Sequence, residues 1–202
     1  MTTKPNLYLS FDIETDGCVP ILNNMISIGF YGLDDNMNKH FEYSANIETL
    51  EGHSPEEKCM TNFWNLPENQ MAWNELQNNK RNYVEVMTDL SEKFKELSTN
   101  HKLIFVAHPA SFDFSFFKCY YELAKSKLSK DAPPMYDIGF SCECASTLWK
   151  NYVRNKKLSS SEATKLYKTI SEVDESKKHI AVYDAMFQGI AYIKIKNMYA
   201  NI

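Results

Sequence analysis

The chain has 202 residues, a formal net charge of −4, 44% hydrophobic residues and 24% charged residues. That length and balance suit one globular domain with a full core. The negative charge excludes a protein drawn to nucleic acid by its overall field, so a nucleic-acid substrate would need local capture by metal ions and a few Lys or Arg.

The first stretch with pattern is Tyr8 to Gly17. Leu7, Leu9, Phe11 and Ile13 alternate with polar positions, as in a strand with one apolar face. Asp12 and Glu14 lie two residues apart and so share the other face. Two neighbouring carboxylates repel, and a divalent cation would relieve them; ordinary surface acids at a strand end are the alternative. Asp16-Gly17 ends the strand in a turn. Residues 25–31 read as a second strand, 32–38 as a polar turn and 39–45 as a third strand, an antiparallel meander. The stretch 46–79 is irregular and polar, with room for one or two short helices. Its Phe63, Trp64 and Trp73 could stack on the terminal bases of a substrate or belong to the core.

Residues 82–98 form an amphipathic helix, with Val84, Met87, Leu90, Phe94 and Leu97 spaced by three or four. The apolar run 103–107 reads as a strand buried on both faces. Ser111 then suits a helix cap, with a helix over 112–127 and an aromatic face at Phe112, Phe116, Phe117 and Tyr120. A strand over 138–143, a helix over 145–153, a capped short helix over 163–170 from Ser159-Ser160-Ser161-Glu162, and a long helix over 181–198 complete the chain. The order predicts an α/β fold, a mixed sheet flanked by helices. Asp113 and Asp184 fall in the first turns of two of these helices, from which they could converge on Asp12 and Glu14.

The five Cys are odd in number and lack a CxxC pair, which argues against a disulfide framework or a zinc knuckle. Reduced thiols, a start without an apolar run and the lack of any roughly 18-residue apolar segment predict a cytoplasmic protein that makes no membrane contact. His108 is expected to bond loop backbone, and His40, His53 and His101 to lie at the surface. Lys125, Lys127 and Lys130, with Lys156 and Lys157, could guide a phosphate backbone or simply be solvated.

Three motifs carry a resemblance. Phe11-Asp12-Ile13-Glu14-Thr15-Asp16-Gly17 resembles the first motif of the DEDD superfamily of 3'-to-5' exonucleases. Val106-Ala107-His108-Pro109-Ala110-Ser111-Phe112-Asp113 resembles the second. His179-Ile180-Ala181-Val182-Tyr183-Asp184-Ala185 resembles the third, in the His-x-x-x-x-Asp form of the DEDDh branch. They occur in the family's order across residues 7–192. Pro109 departs from the family's usual Asn. The segment from Thr61 to Trp73 is similar, more loosely, to a phage-like and bacterial exoribonuclease subgroup.

The resemblance implies an RNase H-like mixed five-stranded sheet in a single 3'-5' exonuclease domain over 1–202, with 46–80 as a helical or irregular insert. It implies that Asp12, Glu14, Asp113 and Asp184 hold two divalent cations, Mg²⁺ or Mn²⁺, and that His179 is the general base. The partner would be the 3' end of single-stranded DNA or RNA, and a homodimer is allowed. Alternatives are an exoribonuclease that trims short RNA and a catalytically idle nucleic-acid-binding module on the same fold.

Overall fold

The computed structural model describes residues 4–172 and 174–200. Its sheet has five strands: β1 (Asn6–Thr15), β2 (Met25–Asp34), β3 (Lys39–Asn46), β4 (Lys102–Ala107) and β5 (Glu143–Cys144), in the order β3-β2-β1-β4-β5. β1–β2 and β2–β3 pair antiparallel, whereas β1–β4 and β4–β5 pair parallel. The sheet is therefore mixed and five-stranded, as expected. β2 runs three residues further than the sequence pattern indicates. The Asp34 carboxylate accepts the N–H groups of Asn36 and Asn38, both at 2.9 Å, and so moves the turn to 34–38.

Between β3 and β4 the chain makes α1 (Glu57–Cys59), a π turn (Met60–Trp64), a 3-10 turn (Pro67–Asn69), α2 (Gln70–Leu76) and α3 (Tyr83–Ser98). Trp64, Ala72 and Leu76 cluster on Ile26 of β2. Trp64 is 1% exposed, and its indole N–H donates to the Thr15 carbonyl at 2.8 Å. It is a core anchor, not a surface for stacking bases, because its polar handle is used inside the protein. Asn82 caps α3 by accepting the Val84 N–H at 2.9 Å.

α4 spans Ala110–Lys127 and starts earlier than Ser111 as a cap would require. Pro109 is the capping residue instead. Its carbonyl accepts the N–H groups of Phe112 and Asp113. A residue at this position need not donate, so the missing N–H of Pro costs nothing. The strand expected over 138–143 is confined to Glu143–Cys144. Asp137 accepts the Gly139 N–H at 2.9 Å, and Gly139 adopts φ +67°, which turns the chain where a strand would extend it. Three helices follow: α5 (Ala145–Lys156), α6 (Ser160–Ser171) and α7 (Ala181–Ala200). Ser159 and Glu162 make the reciprocal capping box at the start of α6.

The alternation of β1 divides the two layers. Leu7, Leu9, Phe11 and Ile13 meet α3 and α4 in one cluster, with the rings of Phe11 and Phe30 stacked at 5.1 Å. Tyr8 turns the other way and packs with Leu33, Val106, Ala145, Tyr192 and Ile193, under α5 and α7. α7 is apolar on several sides because β1 and β2 cover one side while α5 and α6 cover another. Beyond the end of β1, the buried Asp16 accepts the backbone N–H and the side-chain amide of Asn24 at 2.6 and 2.7 Å. Asn24 in turn accepts the Leu50 N–H. That link ties β1, the start of β2 and the following loop together.

Candidate active site

Asp12 and Glu14 share the α7 side of β1, because they follow Tyr8 by even steps. β2 pairs Gly29 directly with Asp12. A side chain at Gly29 would place its Cβ 2.1 Å from the Val182 nitrogen, so only glycine lets the start of α7 approach the sheet here. That approach delivers Asp184, in the first turn of α7, to the acids on β1. Asp113 arrives from the first turn of α4, where β4 ends beside β1.

The tightest group is Glu14, His179 and Asp184, whose ligand atoms all lie within 4.8 Å of one another. Asp12 and Asp113 are near enough that their charges act on this group. Burial raises Asp12 well above the usual carboxylate range, and the charges of Asp113, Glu14 and Asp184 push it further. Glu14 is raised by burial and then by Asp184 and Asp113. Burial lifts Asp113 to about 7, although it accepts the His108 N–H at 3.1 Å. Burial likewise lifts Asp184 to about 6, against the His179 N–H at 2.8 Å and the nearby Lys178. The structure thus brings all five residues singled out by the sequence to one place.

His179 lies just before α7 in the left-handed region, at φ +62°. The backbone bond to Asp184 holds it there, and Phe63 meets its ring edge-on at 4.8 Å between centroids. Burial and Lys178 lower its pKa, which favours the neutral ring at neutral pH. The donors fit a hard divalent cation. Buried carboxylates that raise one another in this way are the ligand set that such an ion neutralises.

Several participants lie outside the motifs. Gln188 stands one turn beyond Asp184, and its side-chain N–H donates to Asp12 at 2.6 Å. The i+4 spacing from Asp184 was the available signal. For Gly29 the available signal was a glycine inside the strand read over 25–31. His108 bonds not loop backbone but the Tyr167 hydroxyl, through Nδ1 at 3.2 Å, because α6 packs close by. His40 is exposed and His101 half-buried, and their rings meet edge-on at 5.1 Å. His53 is half-buried and contacts the Asn23 carbonyl.

No family model and no curated protein matches the chain. Solved structures do. The nuclease domain of 3'hExo, described as a DEDDh family member bound to rAMP, aligns over 97% of this chain and 93% of its own, with 15% identity and a TM-score of 0.58. The fold is that of DEDDh-family 3'-exonucleases. A 3'-exonuclease described for 3'-end recognition of histone mRNA stem-loop shares this exonuclease fold at TM-score 0.55 and 13% identity, over 98% of this chain and 84% of its own. Exonuclease I from E. coli, in a zinc-bound complex with single-stranded DNA, aligns at TM-score 0.61 and 12% identity, over 98% of this chain. The chain spans 42% of that larger protein. Among the described residues, no helix is long and apolar enough to cross a membrane.

Proposed function

We propose that the chain is a DEDDh-family 3'-to-5' exonuclease that hydrolyses phosphodiester bonds at single-stranded nucleic-acid ends and releases nucleoside 5'-monophosphates. The observation that carries this reading is the convergence of Asp12, Glu14, Asp113, Asp184 and His179, from three separate segments, within an exonuclease fold. Asp12, Glu14, Asp113 and Asp184 would hold two divalent cations, Mg²⁺ or Mn²⁺, which supply water activation and neutralise charge on the scissile phosphate. His179 takes the proton of the attacking water as general base, and its lowered pKa keeps it ready to accept at neutral pH. Gln188 orients Asp12. The unit that performs this is residues 1–202 as one domain, and its free thiols suit a reducing, cytoplasmic setting.

RNA and DNA both occur among the described ligands of the fold neighbours. The deciding experiment incubates matched 5'-labelled single-stranded RNA and DNA with Mn²⁺, Mg²⁺ or EDTA. The expected result is a metal-dependent ladder that shortens from the 3' end, and the faster substrate separates exoribonuclease from deoxyribonuclease. No cleavage of either strand, with cation binding shown by calorimetry, would replace this reading with an idle binding module.

A further inference from the structure

The charge of the chain is unevenly placed. Residues 145–178 carry eight Lys and Arg against four Asp and Glu, while the rest of the chain carries fourteen against twenty-two. This basic stretch contains α5 and α6, and a groove runs between them from the candidate active site. At its inner end is a cavity of about 340 Å³ lined by His108, Trp149, Thr164, Tyr167, Lys168 and Lys178. That volume lies within the range of small-molecule sites, about 300–1,000 Å³. A second cavity of about 520 Å³ shares Trp149 and Thr164 and continues outward past Lys150, Arg154 and Lys157.

The inner cavity is joined to the acids. His108 donates its backbone N–H to Asp113 and bonds the Tyr167 hydroxyl through its ring. Lys178 immediately precedes His179. The walls are suited to bases, since the half-buried rings of Trp149 and Tyr167 adjoin at 5.2 Å. The outer cavity presents exposed cations. Lys150 is close enough to His108 to help hold its pKa down, after burial. By contrast, Lys125 and Lys127 end α4, fourteen residues beyond Asp113 at Lys127 and so roughly 20 Å along the helix from it. Of the lysines that the sequence left equal, Lys157 lines this groove, whereas Lys125 and Lys127 lie far along α4.

We propose that the α5–α6 groove is the track for the single strand upstream of the scissile phosphate. Bases pack on Trp149 and Tyr167, and the backbone phosphates follow Lys150, Arg154, Lys157 and Lys168. This inference rests on the exonuclease reading for its direction, but strand binding is measured apart from cleavage.

The test measures anisotropy of a 5'-fluorescein dT12 and a matched U12 in EDTA, over a series of salt concentrations. Lys150→Glu/Arg154→Glu should weaken binding at least tenfold. It should also flatten the slope of log K against log salt by about 1.4, since each phosphate contact on a single strand contributes about 0.7. A charge-matched control, Lys125→Glu/Lys127→Glu, should leave the slope within error of the parent. Equal effects of the two variants, or none from the first, would overturn the groove assignment. A folding defect is bypassed by photo-crosslinking the unmodified protein to a 5-iodouridine strand. Adducts in the peptides that carry Trp149 or Tyr167 support the track, and adducts confined elsewhere reject it. If strands bind in the groove but no cation supports cleavage, the exonuclease reading fails and the groove stands.

Discussion

β1 presents two surfaces that do opposite things. Its odd-numbered side, Leu7 to Ile13, joins Phe30, Phe94, Phe105 and Phe117 in a dense aromatic core. Its even-numbered side passes from Tyr8 through Ser10 to Asp12 and Glu14, which burial and mutual repulsion leave poorly accommodated. Burying apolar rings favours the folded state, and crowding carboxylates opposes it. One strand thus supplies stability on one face and the acids of the candidate site on the other.

The largest effect that would sharpen this contrast comes from Asp12→Asn. Hydrolysis of a labelled strand should fall by about a thousandfold, the upper range for loss of a single electrostatic group in such a site. In EDTA, however, the variant should melt at a higher temperature than the parent, because one member of the repelling set is gone. A lower Tm in EDTA would break the proposed division. Phe11→Ala tests the other face. It should cost about 3–5 kcal/mol in denaturant unfolding. A loss below about 1 kcal/mol would show that the aromatic core is not where the stability resides.

The pH dependence follows with a definite sign. Folding raises the carboxyls of the site, to about 7 at Asp113 and about 6 at Asp184. The folded protein therefore keeps protons that the unfolded chain releases near pH 4. In EDTA, stability should be fullest below about pH 4 and should fall as the pH rises toward about 7. Tm scans across that window check it, and saturating Mg²⁺ or Mn²⁺ should flatten the fall by binding the ionised form. The smallest effect belongs to Gln188→Ala, about a tenfold loss of activity, as for the outer partner of a ligand. Gln188 lowers the pKa of Asp12, so its removal should move the activity profile to higher pH. An unmoved profile would leave Gln188 with only a packing role.

Much of this was legible in the chain because local pattern and tertiary demand coincide. The alternation of residues 7–14 was enough to place the two acids on one face, and the period of α3 was enough to find its buried side. The fold class followed from the order of such elements. What escaped depended on contacts between distant segments. Trp64 reads as a free aromatic until Thr15 is seen to take its N–H. Pro109 looks disruptive until the helix is found to begin after it. The strand expected over 138–143 was lost to the Asp137–Gly139 turn, since a few apolar residues do not outweigh turn chemistry. The lysines could be sorted only once α5 and α6 were seen to share a groove that leads to the acids.

The buried Asp16 has a practical consequence. An acid-to-amide scan scored by loss of activity would place Asp16 beside Asp12, because Asn in its place would set an amide against the Asn24 side-chain amide that it now receives. Soluble yield would tell them apart. Asp12→Asn should express at the level of the parent, whereas Asp16→Asn should express poorly. A mutational map of this protein therefore has to record protein abundance beside turnover, or it will count a structural fastener as a fifth acid of the proposed site.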